Sequence, residues 1–200
     1  MGSVYNALIP ICPLIAALFA LALLPVAAAS EPAAWAALRR DGAVALVRHA
    51  DAPGVGDPAG WKLGDCPTQR NLSEAGRAQA RALGERLKAE RVAIARLAAS
   101  PWCRTLETAQ LLGAGPVHAE PTFANAYILS ERRAELAAGA RALIGRWRGP
   151  GTLLVVTHGE NISGLIGRTP STAELVVVSS RGDGSVQELG AVRTPLPGRP

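Results

Sequence analysis

The sequence predicts an α/β domain, a three-layer α/β/α sandwich built on a mainly parallel sheet. Two observations carry this. Strand-like and helix-like stretches alternate between residues 43 and 166, the order that lays crossover helices on both faces of a parallel sheet. The strongest strand candidates, residues 43–47 and 153–156, are unbroken apolar runs, as strands covered on both faces require.

Each element has its own local reason. Residues 30–41 read as a lead-in with one or two helical turns around 34–38. Residues 43–48 form the first strand. Residues 51–69 are rich in Gly, Pro and Asp and read as a long loop, and loops of that length in a compact domain tend to be functional. Ser73 caps a helix running to about Glu90, with its apolar stripe expected at Ala75, Ala78, Ala82, Leu83 and Leu87. Residues 92–99 make a weaker strand that ends at Ser100-Pro101. Proline after serine signals a helix start, so residues 102–112 should be helical with Arg104 in the first turn. Residues 131–147 form another amphipathic helix, 153–157 the second strong strand, and 161–166 a short helix. Residues 173–179 and 185–192 read as a hairpin around Arg181-Gly182-Asp183-Gly184. The proline-rich tail, 194–200, is expected to be loose.

Composition limits the function. At 200 residues the chain can bury one sizeable core. Residues 1–29 contain no Lys, Arg, Asp or Glu, and 14–24 are almost wholly apolar before Ala27-Ala28-Ala29. That pattern reads as a signal peptide ending at residue 29, followed by one domain over 30–200. A periplasmic or secreted protein is expected. The alternative is an uncleaved anchor facing the periplasm, and membrane contact is expected only in that case. The net charge of +5 is mostly arginine, but no basic run of five appears, so nucleic-acid binding is not expected. Without Cys12, the mature chain keeps Cys66 and Cys103. In an oxidising compartment these are either a disulfide or two small buried thiols.

Three short stretches carry chemistry. Arg48-His49-Ala50 and Thr157-His158-Gly159 follow the two strong strands, and Ser100-Pro101-Trp102-Cys103-Arg104 follows the weaker one. In open α/β sheets, ligands bind beyond the carboxyl ends of strands. Two histidines and two arginines gathered there suit phosphoryl transfer to a histidine nucleophile. The guanidinium groups neutralise the phosphoryl oxygens while the imidazole attacks. The third histidine, His118, stands alone and reads as a surface or satisfied side chain. Three histidines without Cys or Asp partner spacing do not suggest a zinc site.

These stretches resemble the motifs of the histidine phosphatase superfamily, which includes the phosphoglycerate mutases. Leu46-Val47-Arg48-His49-Ala50 resembles its Arg-His-Gly signature, and Asn71-Leu72-Ser73-Glu74-Ala75-Gly76 its Leu-Thr-x-x-Gly segment. Residues 100–109 resemble Ser-Pro-x-x-Arg-x-x-x-Thr-Ala, and Val155-Val156-Thr157-His158-Gly159 the second-histidine motif. Four such motifs in order are a specific signal. The resemblance implies a phosphoglycerate mutase-like fold and a small phosphorylated substrate, with no cofactor and no metal. It assigns His49 as nucleophile, Arg48 and Arg104 as the phosphate clamp, and His158 as a donor to the same oxygens.

The sequence departs from the family in two places. Ala50 stands where glycine is common. The general acid has no obvious residue: Asn125 lies near an expected glutamate, and Glu160 is one residue further from His158 than usual. Glu160 is the tentative acid, with Asp51 and Asp65 as further candidates. A weak acid would suit leaving groups that need little protonation. It also leaves open a phosphate-binding envelope protein without turnover.

Overall fold

The structure is a computed structural model that describes residues 1–2 and 30–198. The expected signal segment therefore lies, but for its first two residues, outside the described part. No helix among the described residues is long and apolar enough to cross a membrane.

Helix α1 (Glu31–Leu38) leads into strand β1 (Val44–Arg48). After the long loop come α2 (Glu74–Ala89), β2 (Ile94–Ala99), α3 (Cys103–Leu111) and β3 (Val117–Ala119). Helix α4 (Arg133–Arg146), β4 (Thr152–Thr157), α5 (Gly159–Ile166), β5 (Leu175–Ser180) and β6 (Val186–Val192) complete the chain. The six strands lie in the order β3-β2-β4-β1-β5-β6. Strands β1 to β4 pair in parallel, whereas β5 runs antiparallel to both β1 and β6. The sheet is thus mainly parallel with an antiparallel hairpin at one side.

Alternation along each strand makes the three layers. Ala45 and Val47 of β1 face Trp35 and Leu38 of α1, Leu83 and Leu87 of α2, and Ala109 of α3. Val44 and Leu46 face Ala140 and Ile144 of α4 and Ile162 and Leu165 of α5. Both surfaces of β1 and β4 are sealed, which is why these strands read as unbroken apolar runs. The Ser73 hydroxyl caps α2 by accepting from the Gly76 N–H at 2.9 Å.

Some local expectations are corrected. The buried face of α2 is Gly76, Gln79, Ala80, Leu83, Gly84 and Leu87, and Ala82 is exposed. The face is rotated because two glycines, not alanines, meet backbone there. A Cβ at Gly76 would stand 2.1 Å from the Asp51 carbonyl oxygen, and one at Gly84 2.3 Å from that of Leu112. Helix α3 starts at Cys103, with Trp102 as an extended N-cap that makes no side-chain cap bond. The Ser100 hydroxyl is engaged elsewhere. Helix α4 starts at Arg133, after a 3-10 turn over Ser130–Arg132. The three-residue edge strand β3, which holds His118, has too little apolar pattern to predict.

Candidate active site

The carboxyl ends of three adjacent parallel strands bring the expected residues together. His49 follows β1, Ser100 follows β2 and His158 follows β4. Backbone bonds continue the sheet into these turns: His49 N–H donates to Thr157 O and Ser100 N–H to Val156 O, each at 2.9 Å. Above them opens a cavity of about 540 Å³ lined by Arg48, His49, Arg70, Arg104 and His158 among others. The two imidazoles meet edge to face, with centroids 5.5 Å apart.

His49 is buried, and its Nδ1 lies 2.8 Å from the Ala50 carbonyl oxygen. A carbonyl can only accept, so Nδ1 carries the proton of the neutral ring and Nε2 keeps its lone pair. Burial pushes the His49 pKa down to about 3, against the raising effect of the Ala50 bond; Arg104, Arg70 and Arg48 push it further down. The ring is therefore neutral at physiological pH, as a nucleophile must be.

His158 is also buried, and its pKa lies well below the ordinary value. Burial is the largest cause, followed by His49 and the three arginines. A neutral ring has one N–H. His158 Nε2 lies 2.8 Å from Ser100 Oγ, and this is the only hydrogen bond of that hydroxyl among the described residues. If Ser100 donates to Nε2, both groups are satisfied and the N–H falls on Nδ1. That Nδ1 is buried without a partner. The Ser100 backbone is pinned by Thr105, whose hydroxyl donates to the Ser100 carbonyl at 2.7 Å.

The cations are shaped by backbone and by one carboxylate. Arg48 donates from NH1 to Pro170 O at 2.8 Å, and its Nε is buried and unpartnered. A side chain at position 159 would crowd it: a Cβ there would lie 3.3 Å from Arg48 Nε, so Gly159 makes room for the guanidinium. Arg104 is fully buried and pairs with Asp57 through NH1 at 2.7 Å and NH2 at 3.3 Å, while its Nε is unpartnered. Asp57 also accepts from Trp102 Nε1 and the Arg70 N–H, each at 3.0 Å. Arg70 reaches back to the Gly56 carbonyl at 2.7 Å and to the Ala52 carbonyl. Burial lowers the pKa of both Arg48 and Arg70; nearby Asp51 and Glu174 oppose this at Arg48, and Arg104 reinforces it at Arg70. A disulfide joins Cys66 of the same loop to Cys103, next to Arg104, with Cα atoms 5.6 Å apart. Of the two alternatives left open by the sequence, the bridge is the one formed.

Residues 44–128 match the family model of the histidine phosphatase superfamily (branch 1). Over that stretch, which is less than half of the chain and ends before His158, the sequence is similar to the histidine phosphatase superfamily. Its fold is similar to that of the protein histidine phosphatase SixA complexed with tungstate, with 22% identity, a TM-score of 0.52, and 76% of this chain and 97% of that one covered. A mycobacterial glucosyl-3-phosphoglycerate phosphatase in complex with inorganic phosphate shares 18% identity at a TM-score of 0.54, with the same coverage. A phosphoserine phosphatase from Entamoeba histolytica, complexed with 3-phosphoglyceric acid, shares 17% at 0.54, again covering 76% and 97%. No curated protein sequence matches the chain significantly.

Around this cavity, the remaining expected residues fall in different places. Glu160 lines the cavity mouth, with Oε1 3.3 Å from Arg133 Nε. Asp51 also lines the cavity, but its Oδ2 accepts from Ser73 Oγ at 2.6 Å. Asp65 lies in the outer loop, away from the cavity lining, and there the Asp65 carbonyl accepts from Thr68. Asn125 is buried at the cavity wall, where its Oδ1 accepts from the Tyr127 N–H at 3.1 Å. His118 is exposed on β3. Sequence reasoning missed Arg70 and Asp57. The one available signal was an arginine directly before the Asn71-Leu72-Ser73 motif. No cluster of three or more metal-ligating side chains occurs among the described residues.

Proposed function

We propose that the protein is a phosphatase that works through a phosphohistidine at His49 Nε2 on a small phosphorylated substrate. One observation carries this reading. Three buried donors, Arg48 Nε, Arg104 Nε and His158 Nδ1, are unpartnered, and all three side chains line the cavity that His49 lines. Buried donors are rarely left unpaired, and a phosphoryl group with three oxygens would satisfy them together.

In the first step the Nε2 lone pair attacks phosphorus and the bond to the leaving oxygen breaks, with that oxygen taking up a proton. In the second, water attacks phosphorus, the P–N bond breaks and phosphate leaves. The net reaction is phosphate monoester plus water to alcohol plus inorganic phosphate. The arginines and His158 donate to the oxygens as charge builds in each transition state. The Ala50 carbonyl holds the His49 tautomer and accepts part of the charge that develops on the ring. Glu160 at the mouth is the proposed proton donor to the leaving oxygen. With Arg48 and Arg70 supplying net positive charge and Arg104 an oriented Nε donor, the mechanism asks for no metal.

The reading is tested by phosphate release from para-nitrophenyl phosphate in the presence of EDTA, with His49→Ala in parallel. Turnover lost in the variant supports it, and equal turnover in both proteins overturns it. Absence of turnover in either, with retained phosphate binding, would favour the phosphate-binding alternative.

Export is part of the same proposal. It is supported by the uncharged apolar stretch over residues 1–29 and by the Cys66–Cys103 bridge, which persists in oxidising compartments. Mass spectrometry of the protein recovered from its native cell envelope should find Ser30 at the amino terminus. An intact residue 1–29 segment in membranes would point to the anchored form.

A further inference from the structure

The mouth of the cavity differs in character from its floor. The cations that line the cavity, Arg48, Arg70 and Arg104, surround the histidines. The exposed part of the lining includes Pro53, Val55 and Tyr127, with Glu160 the half-buried carboxylate beside them. Val55 is 85% exposed and Tyr127 53%, two of the few large apolar residues left in solvent among those described.

Val55 is held out by construction. Gly54 and Gly56 flank it with φ of 92° and 71°, a conformation that glycine adopts without strain and that turns the chain sharply at this tip. The tip is also braced: the carbonyls of Ala52 and Gly56 both accept from Arg70, and the next residue, Asp57, is buried against Arg104 and Trp102. Gly56 lies against Tyr127, where a Cβ would stand 3.8 Å from the ring. An exposed apolar pair on a braced loop, directly above a phosphate clamp, is a preformed surface rather than a floppy one.

We infer that Val55 and Tyr127 form the leaving-group subsite and select phosphate monoesters with an uncharged aromatic leaving group. This deepens the phosphatase reading and rests on it. An aromatic ring entering with its phosphate on the clamp would lie between Val55 and the Tyr127 ring, where stacking and apolar burial favour it. An acidic leaving group would meet Glu160, whose charge Arg133 offsets only in part across an exposed 3.3 Å pair. The chemistry agrees with the geometry. A phenol has an ordinary pKa near 10, so an aryl oxygen leaves with far less help from a proton donor than an alkyl oxygen. Glu160, held by Arg133, is the only carboxylate at this mouth whose side chain is not engaged by Ser73.

The test compares kcat/KM for four substrates of the purified protein: acetyl phosphate, phenyl phosphate, 2-naphthyl phosphate and 4-carboxyphenyl phosphate. The expected order is naphthyl above phenyl, and phenyl at least about threefold above carboxyphenyl, as one like-charge contact partly offset by Arg133 implies. In Tyr127→Ala and in Val55→Ser, the ratio of naphthyl to acetyl phosphate should fall about tenfold, the scale of one ring face returned to water. A ratio unchanged in both variants overturns the inference, as does a preference for the carboxylated ester. The four substrates together report on the phosphatase reading. If the wild-type protein hydrolyses none of them, that reading fails. If they are hydrolysed while the aromatic preference is absent, only the subsite fails.

Discussion

Replacing Asp57 by asparagine should separate the role of the buried ion pair from that of the loop that carries it. The Asp57 and Arg104 side chains are 0% and 1% exposed, and they meet at 2.7 Å. Asparagine keeps the shape but has one acceptor oxygen where Asp57 uses two, Oδ1 for the Arg70 N–H and Oδ2 for Trp102 Nε1, and it removes the charge that faces Arg104. Breaking a buried pair by neutralising one partner typically costs about 3–5 kcal/mol, because the other charge stays buried without compensation. With one of the two neutral hydrogen bonds lost as well, the upper part of that range, about 4–5 kcal/mol, is expected. For a domain of this size that lowers Tm by about 8–20 °C.

Two further outcomes follow from the same pair. Burial would raise the Asp57 pKa, but the Arg104 bonds, the Arg70 N–H, the Arg104 charge and Trp102 together hold it below the ordinary value. Its folded pKa is depressed, so its stabilisation is present above the unfolded value near 4 and disappears as pH falls through the folded value. The gap between wild type and Asp57→Asn should therefore be full at pH 7 and narrow below about pH 4. Inorganic phosphate should also stabilise the variant more than the wild type, because Arg104 then gains an anion that it lacks. Urea unfolding at pH 7 and below 4, with and without phosphate, measures all three. A loss under 1 kcal/mol at pH 7, or a gap that does not narrow in acid, would refute the reasoning.

Four other outcomes are expected. In pH–rate profiles, activity should persist well below pH 6.5 and fall on the acid side only as His49 protonates near pH 3; an acid limb near 6.5 would show that His49 is not held neutral by burial. Because the folded pKa values of His49 and His158 are depressed, the unfolded chain takes up more protons below pH 6.5, so stability should decline with acid from there, and His49→Gln should flatten that slope. Ser100→Ala should lower kcat/KM by about 10–100-fold, the usual loss when a partner that orients a functional histidine is removed, and nitrogen NMR should show the His158 proton moving from Nδ1 to Nε2 in the ligand-free protein. Replacing Cys66 and Cys103 by serine opens a loop with a sequence separation of 37 and should cost about 3–4 kcal/mol in urea unfolding; a change under 1 kcal/mol would show that Asp57 and Arg70 alone order the loop.

Much of the fold was legible because its strongest signals are local. β1 and β4 are sealed by helices on both faces, so their sequences carry continuous apolar runs that only buried strands need. Ser73 announces α2 because the capping oxygen and the capped N–H lie three residues apart. The α2 stripe was misplaced for the opposite reason. Its packing face is set by backbone approaches of Asp51 and Leu112 at Gly76 and Gly84, and glycine carries no hydrophobic signal. The short edge strand β3 exists through pairing with β2 alone.

The site divides along the same line. His49, Arg48, Arg104 and His158 could be found because each follows a readable strand, and parallel neighbours in a sheet deliver their ends to one edge. Asp57 and Arg70 sit in or beside a loop whose Gly, Pro and Asp content reads as solvated. Their importance arises only when 47 residues of separation close between Asp57 and Arg104. That closure changes how the clamp should be understood. Arg104 does not wait in solvent for phosphate: its charge is already neutralised by Asp57, and only its Nε edge is left to the cavity. A phosphate that binds there meets a guanidinium whose orientation is fixed beforehand, on the same loop that carries Val55 to the mouth. Phosphate affinity and leaving-group preference are thus coupled through one braced segment, and Asp57→Asn should disturb both together, whereas Tyr127→Ala should disturb only the second.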